Sequence, residues 1–312
     1  MSGPVTPADT TPTPESADVE PRVLEVLDSR EAQVGALRVR RALPRRHHRT
    51  VGAWCFADHM GPADVDVDGG VDIGPHPHMG LQTVTWLLAG EILHRDSLGS
   101  EQVIRAGQLN LMTAGHGVAH SEEGTGRYRG ELHGIQLWVA QPEATRGGAA
   151  AFEHHAELPS LELDGGVATV VVGRFGEVTS PARCDTDHEG IQLDLHPGTL
   201  TAPLDATHEY ALVVLDGAVE CDGSVIEPGQ LAYFGTGRDE IALKAGDRAT
   251  AMLLGGAPFP EEILMWWNFV ARSTGEVDAG YASWEADDGR FGTVDTSLDR
   301  IAAPRPMWSA RG

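Results

Sequence analysis

The sequence predicts an all-β chain folded into two barrel or sandwich domains, and three observations support this prediction. The 312 residues exceed the size at which a single hydrophobic core usually stops growing, so two domains are expected. Glycine and proline are frequent, with 38 and 19 residues, which favours short strands joined by turns. Short apolar runs recur along the chain with glycine at most of the joints between them, a spacing typical of antiparallel β-domains.

The N-terminal part of the chain is predicted to comprise a tail and a first domain. Residues 1–22 are rich in Pro, Thr and Asp and are expected to form a disordered tail. The first domain covers residues 23–150 and ends in a predicted linker at residues 141–150. Its predicted strands are residues 23–27, 37–43, 82–88, 92–94, 103–104, 109–113, 118–122 and 134–140.

The second domain, residues 151–312, repeats the pattern of the first. In both halves an apolar strand, a glycine turn, a second strand and an x-x-Gly-Gln-Leu motif follow one another, and the motif occupies residues 105–109 and 227–231. This repetition predicts an internal duplication. The alternative explanation is that any two antiparallel β-domains have Gly turns at such places. The predicted strands here are residues 167–172, 191–195, 200–202, 210–215 and 218–221.

The C-terminal region is expected to contribute packing rather than chemistry. Residues 262–271 are densely apolar and could form a strand or a helix, because periodicity does not distinguish the two. Thr274 is predicted to cap a helix that follows. Val277, Tyr281 and Trp284 are spaced four and three residues apart, so one face of this helix is expected to pack on a domain.

Two short motifs form a candidate metal site in the first domain. A His-Pro-His motif contains His76 and His78, and a His-Ser-Glu motif 42 residues further on contains His120 and Glu122. Residues two apart on a β-strand project from the same face, so two neighbouring strands could direct all four side chains at one point. Three imidazoles and one carboxylate suit a first-row divalent ion and leave an octahedral ion two open positions for chemistry.

The second domain lacks these ligands. Matching the halves by their glycine turns places Pro203 and Asp205 opposite the two histidines of the first motif. Matching by the later glycines places Ala242 opposite the histidine of the second motif and residues 243–244 near its glutamate. The sequence therefore predicts a functional metal in the first domain only, and a structural or pocket-forming role for the second.

Composition limits the classes of partner and compartment. The formal net charge of −23 repels phosphate backbones and anionic lipids, so neither direct nucleic-acid binding nor membrane binding is expected. No apolar run is long enough to span a bilayer, and the N-terminus has no features of a secretory signal. The three cysteines are scattered and odd in number, which favours a reducing, cytoplasmic location.

Several motifs together resemble the pirin family of the cupin superfamily. The resemblance extends over about residues 35 to 290 and is strongest over residues 52–140. The motifs are HPHMG at residues 76–80, TVTWLLAGE at 83–91, HRDSLG at 94–99, MTAGHG at 112–117, HSE at 120–122, FADHMGP at 56–62 and WNFVAR at 267–272.

The resemblance implies two stacked jelly-roll barrels, a bicupin, with a metal in the N-terminal barrel only. It also implies that His76, His78, His120 and Glu122 are the ligands, in agreement with their spacing. Iron is the metal that the family typically carries, and Zn, Cu, Mn, Ni or Co are alternatives. Some bacterial members cleave flavonols such as quercetin with dioxygen, whereas eukaryotic members are iron-dependent transcription cofactors.

Other polar residues near these motifs are further candidates for the site. Gln82 stands where many cupins carry a glutamate ligand, and an amide is a poor ligand. His116 could support the site, act as an alternative ligand or lie on a surface turn. His94 is expected at a strand end beside the site. The paired histidines at 47–48 and 154–155 are expected to lie away from it.

The function predicted from these residues is a pirin-like flavonol dioxygenase. A flavonol-like substrate would bind the metal, most simply Fe(II), and Glu122 would accept its hydroxyl proton. Phe56, Leu81 and Leu111 are candidates for the pocket wall, and Cys55 is expected to be a small buried apolar residue. The alternatives are a non-catalytic protein that senses iron and regulates a protein partner, and a cupin that holds metal without a partner.

Overall fold

The computed structural model describes residues 24–35, 37–66 and 71–309. The predicted tail at residues 1–22, and residue 23 of the first predicted strand, lie outside these ranges. Strands in the first half are β1 (Glu25–Leu27), β2 (Arg30–Val34), β3 (Leu37–Leu43), β4 (Trp54–Val65), β5 (Ile73–His78), β6 (Leu81–Ala89), β7 (Glu91–Asp96), β8 (Glu101–Arg105), β9 (Leu109–Thr113), β10 (Val118–Glu123), β11 (Gly130–Ala140) and β12 (Ala151–His155).

The second half contains fourteen strands and a helix within the described ranges. They are β13 (Ser160–Leu163), β14 (Gly166–Val172), β15 (Arg174–Phe175), β16 (Val178–Thr179), β17 (His188–Leu195), β18 (Gly198–Pro203), β19 (Glu209–Asp216), β20 (Val219–Cys221), β21 (Ser224–Ile226), β22 (Leu231–Gly235), β23 (Glu240–Ala245), β24 (Ala249–Gly256), β25 (Leu264–Trp266), β26 (Phe269–Ala271) and α1 (Thr274–Ala286).

The strands form two barrels of the same topology, which confirms the predicted all-β, two-barrel fold. In the first barrel a seven-stranded sheet, β12-β9-β6-β11-β4-β3-β2, packs on a four-stranded sheet, β5-β10-β7-β8. In the second barrel the sheets are β1-β22-β19-β24-β17-β14-β13 and β18-β23-β20-β21. Strands correspond one to one between the two barrels, so the internal duplication is visible in the strand order.

The barrels exchange strands at their edges. β1 precedes the first barrel in the chain but pairs with β22 of the second, and β12 follows the first barrel's other strands and pairs with β9. β12 thus belongs to the first barrel's sheet although it lies beyond residue 150. The division of the chain at residues 150 and 151 remains a prediction.

A hydrophobic core fills the space between the barrels, where the two seven-stranded sheets face each other. Trp54, Trp86, Leu137, Met252 and Leu254 are among its buried side chains. The indole nitrogens of its two tryptophans are also hydrogen-bonded to the second barrel. This apolar contact is continuous across both sheets, so it joins the barrels firmly.

The C-terminal segment returns from the second barrel to cover the first. The apolar residues 262–271 form a hairpin of β25 and β26, so of the two alternatives the strand is correct. α1 is capped by Ser273, whose hydroxyl accepts a hydrogen bond from the amide of Glu276, so the prediction of Thr274 as the cap is wrong by one residue. Val277 and Trp284 are buried as expected and pack with Met79 and Ala119 of the first barrel, among others.

Within the described ranges, no helix combines the length and apolar character that crossing a bilayer demands.

Candidate metal centre

Two adjacent strands position the predicted ligands. β5 carries His76 and His78, β10 carries His120 and Glu122, and the two strands are antiparallel neighbours with His120 directly opposite His76. The register shifts by one residue between His120 and Glu122. All four side chains nevertheless line the same cavity inside the first barrel. The side chains two residues apart on each strand therefore face the same cavity, as their spacing predicts.

The three histidines converge closely. A ligand atom from each of His76, His78 and His120 lies within 4.8 Å of those from the other two. The Nε2 atoms of His78 and His120 are 3.1 Å apart, and all three side chains are buried. The geometry therefore places three imidazole nitrogens around one point.

Backbone carbonyls hold the tautomers of two of these histidines. His76 Nδ1 lies 2.9 Å from the carbonyl oxygen of Gly74, and His78 Nδ1 lies 3.1 Å from that of Asn268. A carbonyl oxygen only accepts, so each Nδ1 must carry the proton and donate it. Each Nε2 is then unprotonated, with its lone pair available to a metal.

A second imidazole and a carboxylate hold the third histidine. His120 Nδ1 lies 3.3 Å from His94 Nδ1, and His94 Nε2 lies 3.1 Å from Asp96 Oδ2. When His94 donates from Nε2 to the carboxylate, its Nδ1 is free to accept a hydrogen bond from His120. The pair therefore leaves Nε2 of His120 unprotonated as well. The sequence located His94 beside the site correctly but did not reveal this role.

Burial keeps the three candidate ligand imidazoles neutral. It lowers the pKa of His76 to about 4, and it holds the pKa values of His78 and His120 well below the ordinary value. Neighbouring histidines add to the effect, because an imidazolium beside them would repel a second positive charge. Metal binding requires unprotonated imidazole, so the site is ready for a cation at neutral pH.

The donor set fits a divalent metal ion. With Nδ1 of both His78 and His120 protonated, their Nε2 atoms direct lone pairs at each other across 3.1 Å, with no proton between them. This arrangement is repulsive on its own and becomes attractive around a cation. Imidazole donors suit iron, zinc, copper and nickel, so the donor set is compatible with several of these ions.

Glu122 lines the cavity beside the histidines but does not belong to the group whose ligand atoms meet within 4.8 Å. Burial raises the pKa of its carboxyl to about 7, because the charged form is poorly solvated there. Such a carboxyl can hold or release a proton near neutral pH. Its assignment as the fourth ligand remains a prediction.

The cavity measures about 450 Å³ and has an aromatic wall. Phe56 and Trp138 are stacked with ring centroids 4.1 Å apart, and Trp267 of the β25–β26 hairpin also lines the space. Phe56 is thus placed as predicted. Leu81 packs against Phe56 and Trp138 rather than lining the cavity, and Leu111 faces the core between the barrels. Adjacent strands differ in register, so the orientation of these leucines could not be inferred from sequence.

An ion pair lies in the same cavity and was missed from sequence. Arg41 donates to both carboxylate oxygens of Asp58, at 2.8 and 2.7 Å, and its guanidinium lies 4.6 Å from the centroid of Phe56. Burial raises the pKa of Asp58, and the charge of Arg41 opposes this rise. The pair offers a fixed polar contact to a ligand bound between the aromatic wall and the histidines.

The remaining candidate residues lie outside the site. His116 is exposed on a turn, in agreement with the simplest of its three alternatives. Gln82 is buried and donates to Thr113 Oγ1 at 2.9 Å, so it supports the sheet. The histidines at 47–48 and 154–155 do not line the cavity. Cys55 is a buried free thiol whose pKa is raised to about 12 by burial.

The second barrel has no counterpart of the three histidines. The pairing of β18 with β23 places Thr201 opposite Ala242, as His76 lies opposite His120 in the first barrel. The equivalent of His78 is therefore Pro203, two residues from the match that the glycine turns suggested. None of these side chains in the second barrel is a metal ligand of the first barrel's kind.

Comparison with known proteins places this architecture in a family. Residues 36–139 match the pirin family model, and residues 190–292 match the model of the pirin C-terminal cupin domain. A Pseudomonas aeruginosa protein provisionally named quercetin 2,3-dioxygenase is 45% identical over 289 residues, covering 92% of this chain and 91% of its own. A pirin-like protein of Caulobacter vibrioides is 39% identical, covering 86% of this chain and 96% of its own.

Solved structures agree with these matches. The crystal structure of a quercetin 2,3-dioxygenase from Acinetobacter baumannii has a TM-score of 0.88 and 40% identity, covering 91% of this chain and 95% of its own. The Escherichia coli pirin YhhW, solved in complex with nickel(II), shares the fold with a TM-score of 0.60 and 19% identity, covering 76% of this chain and 100% of its own. The two matched models together cover most of the chain, and it belongs to the pirin family of two-barrel cupins.

Proposed function

We propose that this protein is a metal-dependent oxygenase that cleaves flavonols such as quercetin with dioxygen. The observation that supports this most strongly is the set of three histidines, each held with Nε2 unprotonated, at one side of a cavity walled by stacked aromatic rings. The relatives and the solved structure named for this activity support the same substrate class.

His76, His78, His120 and Glu122 would hold the metal, with iron(II) as the proposed native ion. When bound, the metal supplies Lewis acidity toward the substrate's oxygens and the redox chemistry that dioxygen requires. The residues around it perform the remaining tasks. Phe56 and Trp138 bind the flat ring system of the substrate, and the Arg41–Asp58 pair orients its polar substituents.

Glu122 is the proposed acceptor of the substrate's hydroxyl proton. Burial raises the pKa of the Glu122 carboxyl to about 7 in the metal-free site, so a Glu122 released from the metal can take up that proton. A deprotonated flavonol is richer in electrons and reacts more readily with dioxygen.

The test is turnover of quercetin by iron-loaded protein under air, followed through the flavonol absorbance. We expect His78→Ala to lose roughly 100-fold or more of the activity while keeping its circular dichroism spectrum, because one imidazole ligand is removed. His154→Ala is the matched control, since it removes a histidine that does not line the cavity. Unchanged turnover in His78→Ala would sink the proposal.

If the alternative, a non-catalytic sensing protein, is correct, metal-loaded wild type should not turn over flavonols. If wild-type protein loaded with iron, manganese, nickel or cobalt leaves every flavonol unchanged, the metal centre serves binding or sensing instead. Metal content measured on the same samples separates a protein that lacks metal from one that holds metal without turnover.

A further inference from the structure

A cleft of about 460 Å³ lies beside the segment that joins β3 to β4. It shares no lining residue with the cavity of the candidate metal centre. Residues 44–49 of this segment form one side, and residues of β1 and β2 form the other. β1 belongs to the sheet of the second barrel and β2 to that of the first, so the cleft lies where the barrels meet. Junctions of this kind are frequent positions for ligand sites.

The lining of the cleft is strongly basic although the chain as a whole carries a net charge of −23. Four arginines line it, and the one carboxylate, Glu25, lies 3.0 Å from Nε2 of His48, which is also part of the lining. The four arginines are Arg30, Arg45, Arg46 and Arg49.

These arginines differ from many others in the protein in lacking an acidic partner. Among the described residues, the side chains of Arg30, Arg45, Arg46 and Arg49 form no ion pair with a carboxylate. By contrast, Arg105 and Arg127 both pair with Glu91. Several guanidinium groups gathered without counter-charges repel one another, and a bound anion would relieve that repulsion.

One donor in this group has no acceptor. Nη1 of Arg45 is buried, yet it has no hydrogen-bond partner among the described residues. Buried donors in folded proteins nearly always find an acceptor, so this atom marks a place where one is missing. An anion seated in the cleft would supply it.

We propose that this cleft binds a small molecule carrying a phosphate or diphosphate group. Planar guanidinium groups match the oxygens of phosphate in pairs, and several of them around one anion give charge-assisted hydrogen bonds. The volume suits a small molecule, and the position at the junction of the barrels lets such a ligand contact both. The site is independent of the metal centre and of the proposed oxygenase activity.

Isothermal titration of the full chain with inorganic diphosphate at low ionic strength tests the proposal. We expect saturable binding at one site per chain, and at least about tenfold weaker binding in Arg45→Gln, which removes a charge-assisted donor. The double variant Arg46→Gln/Arg49→Gln should weaken binding similarly without risk to the fold, because both side chains are exposed. Arg105→Gln/Arg127→Gln changes the net charge equally and should bind as wild type does.

Three results would overturn the proposal. Heats that do not saturate would show that no site exists. Equal weakening in the Arg105→Gln/Arg127→Gln control would reduce the effect to net charge. Tighter binding of an oligoglutamate peptide than of diphosphate, lost in the same variants, would assign the cleft to an acidic protein partner instead. Quercetin turnover is expected to be unaffected in the cleft variants, so failure here is distinguishable from failure of the oxygenase proposal.

Discussion

At the scale of single residues, the metal centre depends on atoms that face away from it. The carbonyls of Gly74 and Asn268 and the ring of His94 each fix one Nδ1, and each thereby determines the state of an Nε2 at the centre. Hydrogen bonds of this type orient the ligand and raise its basicity. The three imidazoles are thus prepared for a metal before it binds, which lowers the cost of assembling the site.

Glu122 gives the pH dependence that we expect for metal binding. Only the carboxylate can coordinate, and its pKa is raised to about 7, so below that pH a metal must displace a proton. Apparent affinity should therefore rise by up to about tenfold per pH unit below pH 7 and level off above it. The histidines do not add to this slope, because their lowered pKa values leave them neutral throughout.

Glu122→Gln separates this effect from general changes with pH. Competition with a metal indicator between about pH 6 and pH 8 should show weaker binding by the variant and a much flatter pH dependence, because an amide does not titrate. Equal slopes for wild type and variant would remove Glu122 from the ligand set and leave three histidines alone.

The sequence identified the convergent histidines because side-chain direction alternates strictly along a strand. Residues two apart on a strand project from the same face, and this does not depend on the tertiary structure. The partners of these residues were beyond such reasoning. Asn268 is 190 positions from His78, and the pairing of Arg41 with Asp58 depends on the register of β3 against β4.

At the scale of secondary-structure elements, the C-terminal segment covers β5, the strand that carries two of the candidate ligands. The amide of Val270 donates to the carbonyl of Met79, just after β5, and the amide of Ile301 donates to that of Pro75, within β5, so the segment is hydrogen-bonded to this stretch at two points. A side chain on Gly74 or Gly80 would overlap a backbone carbonyl of the segment. Glycine at these two positions therefore permits the close approach.

We expect this contact to support metal affinity. Ile301→Pro removes the amide that donates to the carbonyl of Pro75, next to His76, whereas Ile301→Ala keeps that amide and shortens the same side chain. A lost hydrogen bond of about 1 kcal/mol corresponds to roughly fivefold weaker metal binding in the proline variant relative to the alanine variant. Competitive titration with a chelator measures the difference. Equal affinities in the two variants would show that the segment covers β5 without holding it.

The elements predicted from sequence share a simple signal, and those missed lack it. β6 and β9 are mainly apolar, and β3 mixes apolar residues with arginines as a half-buried strand does, so the bounds of all three were predicted closely. β4 is the longest strand described, yet it contains Asp58, His59 and a Gly-Pro pair, which weaken the strand pattern. Its polar residues are buried because they take part in the ion pair and in a histidine pair, which are tertiary contacts.

At the scale of the whole molecule, the two barrels share one strand order, but only the first carries the candidate metal site. Equivalent strands occupy equivalent places in the four main sheets, but only the first barrel carries histidines at the ligand positions. The duplication was predictable from repeated glycine turns. The exchange of β1 and β12 was not, since it depends on pairing between residues about 200 apart for β1 and β22.

The shared core between the barrels should make them unfold together. Leu254 and Leu253 are neighbours on β24 and both fully buried, but Leu254 faces the core between the barrels and Leu253 faces the interior of the second barrel. Wild type should show one transition in calorimetry, and either Leu→Ala change should lower the free energy of unfolding by about 2–5 kcal/mol without splitting that transition. The core between the two seven-stranded sheets couples the barrels, so a cavity inside the second barrel should also destabilise the first. Two resolved transitions in Leu253→Ala, with only one displaced, would show that the barrels are independent and that the second is not required to hold the metal centre.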